Sequence, residues 1–182
     1  MLIGICGKSG SGKSSIAKQL VNNHENVVHL DIDKIAHKSH HDRTVKKKII
    51  KTYGEEILIN NEIDRKKLGK IVFSSKEEMK KLEEITWDFM EKEIDEFISQ
   101  NKDKIIILDY MLLPLTKYLN MCDIKILLDI PYETRRERVL ARDNITEESF
   151  LLRDSSSIEY SKDEFDIVIN NTNEDILRRV KI

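Results

Sequence analysis

Four of the six glycines in this chain lie in its first twelve residues, in the run Met1-Leu-Ile-Gly4-Ile-Cys-Gly7-Lys-Ser-Gly10-Ser-Gly12-Lys13-Ser14. From Gly7 to Ser14 the run spells G-x-x-x-x-G-K-S, with an apolar strand pattern before it (Leu2 to Cys6) and a helical pattern after it (Ser15-Ile-Ala-Lys-Gln-Leu-Val). Glycines at these positions let the backbone fold back and aim successive N–H groups inward, forming a nest that a polyphosphate fills. The helix behind the nest turns its positive end toward the same phosphates. Lys13 can reach the β- and γ-phosphates, and the Ser14 hydroxyl can sit on Mg²⁺. The pattern implies a nucleoside triphosphate site built from Gly7, Ser9, Gly10, Ser11, Gly12, Lys13, Ser14 and Ser15.

The rest of the chain supplies what such a loop needs around it. Short apolar runs at Val27 to Leu30, Lys104 to Leu108, Ile124 to Leu128 and Asp166 to Ile169 read as buried strands. Each continuous Ile/Leu/Val run suits a parallel sheet covered on both faces. With the first strand they make five, so the expected fold is three-layer α/β with a five-stranded parallel sheet. Active sites in such sheets lie at the carboxyl ends of the strands. Between Ile35 and Asn101 no convincing strand is seen. Asp64 can cap one helix there, and Ser75-Lys-Glu-Glu78 is a capping box opening a longer one. We therefore expect a single unit: residues 1–34 and 101–182 as nucleotide core, 35–100 as a helical substrate-binding region, and about 133–160 as a lid.

Lys and Arg number 31 against 33 Asp and Glu, a net charge of −2, so no global pull toward nucleic acid or anionic membrane is expected. Cys6 and Cys122 are too few for a disulfide or zinc framework and read as small buried hydrophobes. No signal peptide is visible and no apolar run approaches bilayer length, which reads as soluble and cytoplasmic. The loop is not that of a GTPase: no D-x-x-G occurs, and Asn101-Lys-Asp-Lys104 has lysine where the base-reading aspartate belongs. No L-S-G-G-Q signature appears either. Small-molecule kinases remain.

Three further features carry kinase chemistry. Asp31 and Asp33 follow the second strand, where a carboxylate can accept the proton of an attacking hydroxyl. They share a side if the strand extends that far; the alternative is that one of them caps the helix starting near Lys34. Asp109 ends its strand where a Mg²⁺-associated carboxylate sits in many such proteins, or simply starts a loop. Arg135, Arg138 and Arg142 fall on one helical stripe with Glu133 and Glu137 nearly opposite, as a phosphate-clamping lid or a solvated basic face. His37, His40 and His41 lack a full metal-ligand set and read as a solvated helix end.

On these residues the chain resembles the dephospho-CoA kinase family nearly end to end. Gly7 to Ser15 matches its phosphate loop. Asp31-Ile-Asp33-Lys-Ile-Ala36 matches its D-A-D-x-I-A segment, which implies Asp33 as the catalytic base. Tyr53-Gly54, Ile63-Asp-Arg65-Lys-Lys-Leu68 and Val72-Phe73 resemble its substrate-side helices, which implies that Arg65 contacts substrate. Asp109-Tyr-Met-Leu-Leu113 resembles D-x-P-L-L, and Asp129-Ile-Pro131 through Arg142-Asp143 matches the strand and arginine lid. Asp166 to Asn171 matches the closing strand, whose turn, here Asn170 and Asn171, borders the adenine of ATP. Departures fall at Thr86-Trp87, where the family has His-Pro, at Met111 and Leu115, where it has proline and an acid, and at Arg135, where glutamine is common. The resemblance implies ATP-dependent phosphorylation of the ribose 3′-hydroxyl of dephospho-CoA with Mg²⁺. Lys13, Asp33, Arg138 and Arg142 would carry the catalysis. The alternatives are another nucleoside or nucleotide kinase on the same core, or a nucleotide-binding regulatory module.

Overall fold

The computed structural model describes residues 1–170. Strand β1 (Leu2–Cys6) runs into the glycine loop, and α1 (Lys13–Asn23) starts directly behind it. Strand β2 (Val27–Asp31) ends as the Asp31 carboxylate accepts from the backbone N–H of Lys34, capping α2 (Ile32–Ser39). This corrects the expected alternation: the strand stops at Asp31, and Asp33 stands in the first turn of a helix. Asp42 caps α3 (Arg43–Tyr53) by accepting from Thr44 and Val45.

A short antiparallel hairpin then follows, β3 (Leu58–Ile59) paired with β4 (Glu62–Ile63), which corrects the expectation of no strand between Ile35 and Asn101. Two-residue strands are too short for periodicity to register. The turn had a visible signal: Asn60 and Asn61 both adopt positive φ, 50° and 66°, as a two-residue hairpin turn demands. Helices α4 (Arg65–Val72) and α5 (Lys76–Gln100) start where Asp64 and Ser75 cap them, as expected. The chain continues through β5 (Ile105–Asp109), α6 (Tyr118–Met121) and β6 (Ile124–Leu128), then α7 (Tyr132–Asp143), α8 (Glu147–Ser156) and β7 (Ile167–Ile169).

The five long strands form one parallel sheet in the order β2-β5-β1-β6-β7. The chain leaves β1 toward one edge and later returns to build β6 on its other side. That reversal opens a crevice at the carboxyl end of β1, where the glycine loop begins. Alternation inside each apolar run divides the side chains between two layers. Ile3, Ile5, Ile107, Ile126 and Leu128 pack with Ile16, Ala17 and Leu20 of α1. Cys6, Ile106, Leu108 and Leu127 pack on the opposite side with Ile32 of α2, Met90 and Ile94 of α5, and Tyr118 of α6. Gly4 faces this second layer, where a Cβ would come within 2.9 Å of both Cys122 Sγ and Leu113 Cδ2.

A third cluster, centred on Val45, Ile49, Tyr53, Ile57, Leu68 and Val72, fills the helical region and also takes Met79 from the start of α5. Helix α5 is therefore seated in two clusters at once. At Thr86-Trp87 it runs on unbroken, where a proline at position 87 would remove an N–H and kink it. Thr86 is buried and its hydroxyl donates to the Leu82 and Glu83 carbonyls. Among the described residues no helix is long and apolar enough to cross a membrane.

Candidate active site

The loop at the end of β1 has the backbone a phosphate nest requires. Gly7, Gly10 and Gly12 take φ of 149°, 81° and 95°, the last as the left-handed cap of α1. Gly10 is also pressed against α7, where a Cβ would meet the Arg135 carbonyl oxygen at 2.5 Å. Lys13 Nζ is buried and donates to the Gly7 carbonyl at 2.9 Å, drawing its charge across the mouth of the loop. The Gly7 N–H donates to the Tyr160 hydroxyl, which donates in turn to the Met111 carbonyl at 2.8 Å.

Beside the loop, Ser14 Oγ donates to Asp109 Oδ2 at 2.7 Å, and His29 Nε2 lies 3.3 Å from the same oxygen. Asp109 ends β5 almost fully buried, and its Oδ1 has no hydrogen-bond partner among the described residues. Burial opposes its charge, but the His29 hydrogen bond, the Lys13 charge and the Ser14 hydroxyl outweigh that and hold its carboxyl below the usual range. Of the two readings of Asp109, this environment is not that of a solvated loop starter. The pair fits a hard divalent cation: a hydroxyl and a carboxylate, with one buried carboxylate oxygen still to be satisfied. His29 was missed in the sequence. It sits two residues before Asp31 on β2 and belongs to no motif.

Asp33 stands at the mouth of the same crevice. Its side chain is exposed, and the neighbouring protein still desolvates it. That desolvation, reinforced by the Asp109 and Asp31 carboxylates, lifts its carboxyl to about 6, with Lys13 and Arg142 pulling the other way. A carboxylate so poised changes protonation near neutrality, as a proton acceptor in catalysis should. Asp31 is the cap, in an ion pair with Lys34 at 2.9 Å.

The arginine stripe resolves into three different situations, none of them a pairing with Glu133 or Glu137 on the opposite side of the helix. Arg135 is buried; it donates to the Ile130 carbonyl and pairs with Asp154 of α8 at 2.5 Å. A guanidinium so occupied is a tie between helices. Arg142 pairs with its neighbour Asp143 at 2.7 Å while its charge still acts on Asp33. Arg138 reaches the glycine loop itself, donating to the Gly10 carbonyl at 3.3 Å.

The histidines also depart from expectation. His40 is 7 % exposed, and His37 lies against Arg65, so this helix end is only partly solvated. Among the described residues no group of three or more His, Cys, Asp and Glu is placed to hold a metal ion. Arg65 is thereby joined to the α2 side of the crevice.

One cavity borders the loop at Lys8, and a second lies beyond the end of β5. The first, of about 460 Å³, lies where β6 and β7 end, lined by Leu128, Pro131, Tyr132, Arg135, Tyr160 and Asn170. Asn171 lies outside the described residues. The other, of about 630 Å³, is a mainly apolar groove between α5 and the loop after β5, lined by Met79, Glu83, Trp87, Tyr110, Leu112 and Leu115. Tyr110 lines this groove, and burial, with the nearby Asp33 and Glu83 charges adding to it, holds its hydroxyl protonated. Two of the sequence departures, Trp87 and Leu115, thus face one groove.

The chain is similar to known proteins over nearly its whole length. The family model described as CoaE, dephospho-CoA kinase, matches residues 1–176. A dephospho-CoA kinase of Fusobacterium nucleatum is 36% identical over 186 residues, covering 100% of this chain and 95% of the relative. Among solved structures, TT1252 from Thermus thermophilus superposes with TM-score 0.75 at 26% identity, covering 96% of this chain and 90% of that one. The dephospho-CoA kinase from Campylobacter jejuni gives TM-score 0.62 at 28% identity over the same shares.

Proposed function

The chain belongs to the dephospho-CoA kinase family, and from that premise we propose how its own residues carry the phosphoryl transfer. It is an ATP-dependent kinase. Its acceptor in this reading is the ribose 3′-hydroxyl of dephospho-CoA. The loop N–H groups from Gly7 to Ser15 and the Lys13 ammonium hold the triphosphate, with the adenine toward the cavity lined by Pro131, Tyr160 and Asn170. Ser14 and Asp109 would hold Mg²⁺, which when bound would supply neutralisation of the phosphate charge.

Asp33 accepts the proton of the 3′-hydroxyl as its oxygen bonds to the γ-phosphorus and the bond from that phosphorus to the ADP oxygen breaks. Little covalent work is asked of the protein; positioning and charge stabilisation do most of it. Arg138, held at the loop, and Arg142, whose charge acts on Asp33, balance the charge that moves onto the leaving oxygen. Arg65 meets the anionic part of the acceptor. The reaction draws on cytoplasmic ATP, and the cytoplasm is the location this reading carries.

The observation that carries the reading is the convergence of Lys13, Asp109, Asp31 and Arg142 on one carboxylate, Asp33, at the mouth of the glycine loop. ADP release from purified protein, measured with dephospho-CoA, adenosine, deoxynucleosides and shikimate in parallel, tests it. Turnover with dephospho-CoA at least about a hundredfold above the others is expected, since a site that hydrogen-bonds its substrate rejects analogues strongly. Preference for a different acceptor would reassign the substrate, and absence of turnover with any would leave a nucleotide-binding module.

A further inference from the structure

We propose that His37 is a positioning residue: its neutral imidazole holds the Arg65 guanidinium in the pose that meets the acceptor, without cancelling its charge. The proposal rests on the reading above that Arg65 contacts the acceptor. One guanidinium nitrogen of Arg65 lies 3.0 Å from Nδ1 and 2.8 Å from Nε2 of His37. Among the described residues no carboxylate forms an ion pair with Arg65. That choice of partner matters. A carboxylate would hold the arginine more tightly but would neutralise the charge needed for a ligand anion. An imidazole lone pair holds it and leaves the charge available.

Arginine carries donors only, so the contact requires His37 to be neutral. The surroundings enforce that. Burial and the Arg65 charge push the His37 imidazole below its ordinary value, and Asp31 at the cap of α2 opposes them. His40 backs His37 edge-on, with ring centroids 6.1 Å apart at 74°. It is itself kept neutral, with its pKa pushed down to about 4 chiefly by burial and further by the nearby Arg65 charge. Its buried Nδ1 has no partner among the described residues. The other charges nearby are engaged elsewhere: His41 faces Glu62 at 3.6 Å, and Glu93 of α5 is paired with Lys38. The stack of His40, His37 and Arg65 therefore joins α2 to α4 with its single positive charge at the outer end.

Steady-state kinetics at saturating ATP test this, reading the dephospho-CoA KM apart from kcat. At about pH 8, Arg65→Ala should raise that KM about tenfold or more, the loss of a charge-assisted contact, with little change in kcat. His37→Ala should raise it about fivefold, and in the double variant it should add almost nothing, because the two act as one unit. His37→Gln, which can still accept from Arg65, should match wild type at that pH. On acidification the wild-type KM should climb as His37 protonates and repels Arg65, while the His37→Gln KM stays level. An additive double variant, or an acid-side rise that survives in His37→Gln, would overturn the proposal with Arg65 still in its role. An unchanged KM in Arg65→Ala would instead remove the reading on which it rests.

Discussion

At the scale of single residues the site is a set of charges held at unequal depth. Lys13 is buried on the Gly7 carbonyl, in the one loop whose geometry directs it to the phosphates. Lys13→Ala should lower kcat by about a thousandfold or more, the cost of losing a preorganised charge, with the far-ultraviolet circular dichroism unchanged. Asp33→Asn should lower kcat about a hundredfold or more while leaving the ATP Kd within a few-fold, as titration calorimetry would read. The wild-type kcat should fall as the pH drops through about 6, and the variant should not follow it. The sign for stability is opposite. A carboxyl raised above its unfolded value binds its proton more tightly when folded, so ionising it destabilises the fold as the pH rises through the interval up to about 6. Asp33→Asn should therefore melt slightly higher than wild type at pH 8 and show no gain at pH 4. Lys13, Ser14, Asp33 and Asp109 were legible in the sequence because a motif or a strand end marks each. His29 was not, because only the pairing of β2 with β5 brings it to Asp109.

At the scale of elements, the helices α7 and α8 show where sequence reasoning stops. The stripe of Arg135, Arg138 and Arg142 was readable from helical periodicity alone. The partner that takes Arg135 out of it, Asp154, comes from the next helix, and no spacing rule reaches it. The same holds for Arg136 with Glu147 and Arg153 with Asp143, ties that close the two helices into a hairpin about Asn144, whose φ is 49°. Asp154→Ala should cost about 3 kcal/mol in urea unfolding, because it strands a buried guanidinium. Arg138→Ala should leave the denaturation midpoint nearly unchanged and lower kcat instead. Caps were the most legible features: Asp64 and Ser75 each accept from the backbone N–H that their position in the sequence requires. The hairpin β3–β4 was illegible because its turn chemistry sits between strands too short to show a period.

At the scale of the whole molecule, the order β2-β5-β1-β6-β7 gathers the ends of distant segments around one loop. Five runs of apolar residues were enough to anticipate a parallel sheet. Their lateral order was not legible, since any of these runs could sit beside any other. Ile107 lies in the layer under α1 with no exposure, and Ile107→Ala should cost about 2–5 kcal/mol in urea unfolding. If residues 133–160 close over the triphosphate, their amide exchange should slow when ATP and dephospho-CoA are added together, with exchange in α5 unaltered. Equal protection in both states would make the α7–α8 hairpin a fixed wall. Helix α5 bears on the molecule in another way. It is a rod of about 37 Å with one end in the helical cluster and the other on the sheet, uninterrupted at Thr86-Trp87. The two regions it joins should consequently melt as one body, in a single calorimetric transition whose van't Hoff and measured enthalpies agree. Dephospho-CoA, on the proposal that Arg65 meets it at the helical end, should then raise the melting temperature of the sheet as well.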